Sequence, residues 1–270
     1  MMTNVANFKH PEFLVSVDWL LENLEDPNLR IYDCTAHLIP HPTETYTIGS
    51  GKGDYEKAHI PGADFLDLQQ ELSNNTSKLR FTFPSAEHFS KAIGAHGLSN
   101  DNQAILYSTT SPQWATRIWW MLRAFGFDNA KVLDGGLIRW VQKGYPTSTI
   151  PSTYPEQSFT AKPRPGLIIQ KSEVLEGIHE SNTCIINALS QEQHIGVGGR
   201  TYGRPGRIKD SENVPTTELI DPETNEFYPA AVIAERFASV GTQSSDRVLT
   251  YCGGGIAAVS YTHLTLPTKA

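Results

Sequence analysis

The stretch VLTYCGGGIAAVS, residues 248–260, sets one cysteine, Cys252, between an apolar run and three consecutive glycines. A thiol becomes a strong nucleophile when its thiolate is stabilised, and backbone amides at a helix N-terminus do this without a basic side chain. Gly253, Gly254 and Gly255 let the chain curl around the sulfur without Cβ clashes, so backbone amides of this loop can form a cradle. Such a cradle suits a thiolate and equally the outer sulfur of a persulfide, because both are anions that need several donors. IAAVS then has the composition of a helix starting at the rim. A small buried cysteine beside a glycine turn is the plainer reading of the same segment, and the segment alone leaves both open.

Neighbouring cysteine chemistries fit less well. A cysteine phosphatase needs an arginine after the loop to clamp phosphate bidentately, where this chain has Ala258. A cysteine hydrolase needs a histidine base, and His179, His194 and His263 fall in no interpretable pattern. Cys34 and His37 have no companion pair, so no metal site is expected. A second segment, GVGGRTYGRPGR at 196–207, places Arg200, Arg204 and Arg207 on a glycine-rich loop after an apolar strand. Ligands of parallel sheets gather at the carboxyl ends of strands, so this loop can face the cysteine and bind a small anion through forked hydrogen bonds. Solvated loop arginines are the alternative.

The bulk of the chain narrows the function classes. A net charge of -7 argues against a broad nucleic-acid or anionic-membrane surface, and no apolar run reaches the roughly 20 residues a spanning helix needs. The first residues lack a continuous apolar signal-peptide core, and three widely spaced cysteines are compatible with a reducing cytoplasm.

The elements that must position these residues form an α/β pattern that occurs twice. LRIYDC, QAILYST and AKVLDGG read as short strands. A helix in FLVSVDWLLENL, with Ser16 or Asp18 near its cap, precedes the first, and between them lie one after Ser85 and one in QWATRIWWMLRAFGF. A Gly/Pro/Thr-rich loop is expected from the end of LRIYDC to Gly53. The Pro-, Ser- and Thr-rich stretch 146–165 reads as an extended linker outside the core. Beyond it the order repeats: IYDC pairs with IINA, AHIPGADF with GRIKDSEN, and AILYSTTSPQWA with RVLTYCGGGIAA. The offset drifts from 154 at Asp33 and Asn187, through 148 at His59 and Arg207, to 143 at Thr109 and Cys252. A partner for Trp140 would fall beyond residue 270, and YTHLTLPTKA at 261–270 does not continue an amphipathic helix, so the second unit reads as shortened or its end as foreign sequence. The expected organisation is a first unit at 1–147, a linker at 148–165, a second unit at 166–260 and an atypical tail.

The chain resembles the two-domain rhodanese family of sulfurtransferases, which includes the thiosulfate and 3-mercaptopyruvate enzymes. The resemblance rests on DCTAHL (33–38), AHIPGADFLDL (58–68), WWMLRAFGF (119–127), VLDGGLIRW (132–140), NVP (213–215) and YCGGGIAA (251–258). It implies two tandem domains, each a mainly parallel sheet flanked by helices, the first non-catalytic and the second catalytic. It implies a persulfide on Cys252, cradled by the amides from Gly253 through Ile256 to Ala257, fed by a small anionic donor and emptied by a thiol or cyanide, with no metal or organic cofactor. Arg200 and Arg204 resemble residues that hold a carboxylate donor, with His59 and Arg207 in supporting roles. Thiosulfate-preferring members usually carry basic residues where this chain has Gly253 and Ala258. Mercaptopyruvate-type members carry serine and threonine where it has Gly254 and Ala257, so a proton relay through that serine cannot operate. The oligomeric state is left open. A sulfur-carrier module of the same fold, without turnover, and a cysteine hydrolase are the alternatives.

Overall fold

Short apolar runs, each ended by a polar or glycine-rich turn, become the strands of two parallel sheets. The computed structural model describes residues 8–42, 46–198, 204–242 and 245–261. The first half runs β1 (Leu14–Val15), α1 (Val17–Asn23), β2 (Leu29–Asp33), β3 (Ala36–Pro40), β4 (Tyr46–Ser50), α2 (Lys52–Lys57), β5 (Asp64–Phe65), α3 (Ala86–Ala95), β6 (Gln103–Tyr107), α4 (Gln113–Ala124), β7 (Ala130–Leu133) and α5 (Gly136–Gln142). The second half gives α6 (Lys171–Gly177), β8 (Thr183–Asn187), α7 (Gln191–Ile195), β9 (Glu212–Asn213), α8 (Ala230–Ala238) and β10 (Arg247–Tyr251). The sheets are ordered β1-β7-β6-β2-β5 and β10-β8-β9, and every pairing in both is parallel. This is the tandem α/β architecture that the sequence predicts.

Local chemistry accounts for the element ends. Ser16 and Ser85 cap α1 and α3, their hydroxyls accepting from the Trp19 and His88 amides at 3.1 Å in each case. One expectation is corrected. The segment read as a loop before Gly53 contains the antiparallel pair β3–β4, because the apolar side chains of AHLIP and YTIGS suit a ladder.

Helix α4 joins the two halves. It is buried around nearly its whole circumference, as its apolar composition requires. It lies on β6 and β7 and also meets the 3₁₀ turn Ala258–Tyr261 of the second half. Trp119 and Trp120 are fully buried, and the core around them continues through Ile186, Ile256 and Val259, so the halves share one apolar interior. Residues 151–164 form no helix or strand, but they are pinned to the first half. The Tyr154 hydroxyl accepts from the Ile31 amide at 2.9 Å and donates to the Gly62 carbonyl at 2.7 Å. Phe159 enters the shared core, which corrects the reading of this stretch as lying outside it; a lone aromatic among polar residues gives no periodic signal. Among the described residues no helix is long and apolar enough to cross a membrane.

The duplication extends to individual hydrogen bonds. Asp33 lies opposite Tyr107 in the first sheet, and Asn187 opposite Tyr251 in the second. The Tyr107 hydroxyl accepts from the Ile60 amide at 3.2 Å, and the Tyr251 hydroxyl from the Ile208 amide at 3.0 Å. Tyr251 therefore matches Tyr107, and Cys252 matches Ser108 rather than the Thr109 that the sequence pairing predicts. Apolar runs do not by themselves fix register to the residue. The expectation about the tail lies, beyond Tyr261, outside the described residues.

Candidate active site

Because β8 and β10 are parallel neighbours, their carboxyl ends share one edge of the sheet, the usual place for a ligand. Cys252 follows β10 directly and is partly exposed, whereas Cys34 and Cys184 are buried; all three are free thiols. A cavity of about 520 Å³ opens beside Cys252, lined among others by Asn187, Arg204, Arg207, Lys209, Tyr251 and Gly253. Tyr251 ties the cationic loop to the strand end. Besides accepting from Ile208, its hydroxyl accepts from Asn187 Nδ2 at 2.9 Å and bonds the Ser211 hydroxyl at 2.8 Å. The lining carries three cations and no carboxylate among the described residues, a field suited to a small anion. Burial, and then the charge of Arg207, push the neighbouring His194 imidazole below its ordinary value.

The amide cradle is smaller than the sequence predicts. Among the described residues, Gly255 supplies the one amide bonded to Sγ, at 3.1 Å. The expected helix at the rim is replaced by bends and the 3₁₀ turn Ala258–Tyr261, so its aligned N-terminal amides do not form. Gly254, Ile256 and Ala257 instead line a second cavity of about 370 Å³ that also reaches Cys252 and Gly253, together with Tyr46, Phe81, Trp114 and Leu189.

The predicted residues separate in space. Arg204 and Arg207 come to the cavity, and both are exposed. Arg200 lies outside the described residues. His59 does not line either cavity beside Cys252. It is 0% exposed and stacked on Tyr55, with Nδ1 2.6 Å from the Tyr55 carbonyl oxygen and Nε2 3.0 Å from that of Ile150. These contacts anchor the segment after α5 and bring the His59 imidazole to neither cavity. Sequence reasoning missed Lys209, Asn187, Tyr251 and Arg117. Lys209 follows Arg207 within GRIKDSEN, and Tyr251 precedes the cysteine, so both were within reach. Arg117 lies inside an apolar helix of the other half and gave no signal. No imidazole among the described residues bonds Cys252 Sγ, so the hydrolase alternative gains no support.

A partly exposed thiol bonded by an amide at a sheet edge, facing a cationic wall in one of two tandem α/β units, is an arrangement suited to a cysteine-dependent group-transfer enzyme. Comparison with known proteins narrows this class. Residues 16–143 match the family model of the rhodanese-like domain. The chain is 30% identical over 281 residues to thiosulfate/3-mercaptopyruvate sulfurtransferase 2 of Arabidopsis thaliana, covering 94% of this chain and 79% of that one. It is 30% identical over 254 residues to the 3-mercaptopyruvate sulfurtransferase of Escherichia coli, covering 91% and 85%. The crystal structure of SseA from Escherichia coli, a rhodanese-fold enzyme of the 3-mercaptopyruvate type, is similar at a TM-score of 0.77 and 29% identity, over 93% of this chain and 92% of that one. The chain belongs to the rhodanese-like sulfurtransferase family. It is an enzyme of that type, transferring sulfane sulfur through a catalytic cysteine.

Proposed function

We propose that Cys252 is the cysteine that carries the sulfur and that the cationic cavity beside it takes a small anionic donor, 3-mercaptopyruvate in preference to thiosulfate. The observation that carries this reading is the Gly255 amide on Sγ at the mouth of a cavity walled by Arg204, Arg207 and Lys209. In the first step Sγ attacks the terminal sulfur of the donor. The bond between that sulfur and the rest of the donor breaks, its electron pair leaves with the donor fragment, and Cys252 becomes a persulfide. A thiol or cyanide then attacks the outer sulfur and Cys252 leaves as thiolate. The Gly255 amide offers a donor to the anionic sulfur in both states, and the arginines hold the donor's carboxylate. The cations stand on the 204–209 loop while Gly253 and Ala258 leave the cysteine loop without charge, which favours a donor recognised by its carboxylate over one recognised at the loop itself. In this reading residues 1–147 are a non-catalytic unit, 148–165 connect, and 166–260 carry the chemistry. Three free thiols suit a reducing compartment such as the cytoplasm.

The test is intact-mass spectrometry after incubation with 3-mercaptopyruvate or with thiosulfate, using Cys252→Ala as control. The expected result is a gain of one sulfur on the original chain, larger with 3-mercaptopyruvate, and none on C252A. A folded chain that gains no sulfur from either donor, or a C252A variant that still gains it, overturns the assignment.

A further inference from the structure

We propose that Arg117, on α4 of the first half, is a positioning residue for Cys252: it holds the Gly255 carbonyl so that the Gly255 amide points at the sulfur. The inference rests on Cys252 as the sulfur-carrying residue and extends its machinery into the half that carries no nucleophile.

Gly255 is engaged on both sides. Its amide donates to Cys252 Sγ at 3.1 Å, and its carbonyl accepts from Arg117 Nη1 at 3.0 Å. Its φ of +70° is the left-handed region that favours glycine, and a Cβ built there would sit 2.9 Å from Nη1, so guanidinium and loop close on one another with no room for a side chain. Arg117 is itself held in place. Nη2 donates to the Phe81 carbonyl at 2.7 Å, and the guanidinium lies over the Phe83 ring, 4.5 Å from its centroid. The next residue back, Thr116, bonds the Ser260 hydroxyl at 3.0 Å, fixing the far end of the same loop to the same helix.

The charge calls for a partner. Arg117 is 4% exposed, and its Nε has no hydrogen-bond partner among the described residues. Burial pulls the guanidinium down to about 10, opposed by the charge on Cys252. A buried cation without a carboxylate is costly unless an anion faces it, and a thiolate or persulfide at Cys252 supplies that anion. The other charged or titratable groups around Cys252 are Arg204, Arg207, Lys209 and Tyr251 on the donor side, and His37 and Tyr46 on the side of β3 and β4. Arg204, Arg207 and Lys209 are exposed and screened by water, whereas Arg117 acts through a dry interior.

The experiment follows iodoacetamide alkylation of the Cys252 peptide by mass spectrometry, in the full chain, across pH, with melting temperature measured in parallel. Arg117→Met removes the charge and both donors at similar volume. We expect alkylation at pH 7 to slow about tenfold and the midpoint of the pH profile to rise. Arg117→Lys, which returns the charge without the fork to two carbonyls, recovers only part of the lost rate. In a Gly255→Ala background, Arg117→Met adds less than about a twofold further loss, because both changes break the same link. If R117M does not fold, Arg117→Gln, which keeps a donor without the charge, carries the same tenfold expectation. A folded neutral variant that alkylates at the original rate with an unmoved profile overturns the inference, as do losses from R117M and G255A that multiply. The underlying reading fails separately: it falls if the unaltered chain never gains sulfur at Cys252. The Arg117 inference alone falls if the chain loads sulfur and the neutral variants are unaffected.

Discussion

The carboxyl ends of β2 and β6 in the first half and of β8 and β10 in the second are built on the same backbone and filled in opposite ways. In the first, Asp33 Oδ1 accepts from the Thr35 amide at 2.9 Å and from the Thr35 hydroxyl. The Thr109 amide donates to the Thr35 hydroxyl at 2.8 Å, the Thr109 hydroxyl donates to Asp33 Oδ2 at 3.3 Å, and the Ser108 hydroxyl turns to the Ser111 carbonyl. Asp33, Thr35, Ser108 and Thr109 are thus all partnered, and the strand end is closed. In the second, Asn187 stands in the place of Asp33: its Oδ1 accepts from the Leu189 amide at 2.8 Å and its Nδ2 donates to the Tyr251 hydroxyl at 2.9 Å. Leu189 replaces Thr35 and Cys252 replaces Ser108, so among the described residues no hydroxyl bonds the sulfur, which meets an amide and open cavity. On the proposed reading of Cys252, the difference teaches that a reactive thiol at this position depends on two absences, a carboxylate at the end of the neighbouring strand and a hydroxyl network over the sulfur.

The largest expected effect comes from restoring the first absence. Asn187→Asp sets a carboxylate near the sulfur, where like charge disfavours the thiolate, and removes the Nδ2 donor to Tyr251. We expect kcat/KM for the sulfur donor to fall about 100-fold, about 2.7 kcal/mol, with alkylation of Cys252 slowed in parallel. A folded N187D protein that keeps the original kcat/KM would break the comparison. A smaller effect separates binding from reactivity. Arg204→Ala and Arg207→Ala should each raise the donor KM about tenfold with kcat little changed, since an exposed guanidinium grips donor and transition state alike. Alkylation by uncharged iodoacetamide should be unmoved in both. A fall in kcat with KM constant would mean that these arginines act on the reacting sulfur instead.

The frame of this comparison was legible in the sequence, and its finest detail was not. Apolar runs at regular spacing gave the strands, and the Ser16 and Ser85 caps and the repeated order of elements gave two units. YCGGG after a strand gave the nucleophile candidate. Register slipped by one residue because alternation marks a strand without marking its end; the tyrosines that settle it, Tyr107 and Tyr251, are recognised by the amides they bind. The hairpin β3–β4 was hidden in a stretch whose glycines, prolines and threonines outweigh its alternation. Arg117 and His59 were unreadable for a shared reason. Their roles are set by carbonyls far away in the chain, Gly255 for one and Ile150 for the other, and no local pattern records such a partner.

The smallest predicted effect lies in the closed half and concerns stability, not turnover. Burial raises the Asp33 carboxyl above its ordinary value, although hydrogen bonds from Thr35, Thr109 and Tyr107 oppose the rise. A carboxyl raised by folding binds its proton more tightly in the native state. Its stabilising contribution is therefore complete below the ordinary carboxylate value near 3.9 and is lost as pH climbs through the raised native value. Asp33→Asn keeps an acceptor for Thr35 and removes the titration, so its melting temperature should decline less than that of the original as pH rises from about 4. Asp134, pushed by burial up to about 7 where it accepts from the Phe227 amide at the seam between the halves, loses stability in the same direction. The difference between D33N and the original, taken at each pH, cancels that second group and isolates Asp33. Sulfur transfer should be unchanged in D33N, because the group it alters sits in the half whose strand end is already closed. A D33N protein whose melting curve follows the original at every pH would show that the first half keeps its carboxylate ionised at no cost to folding.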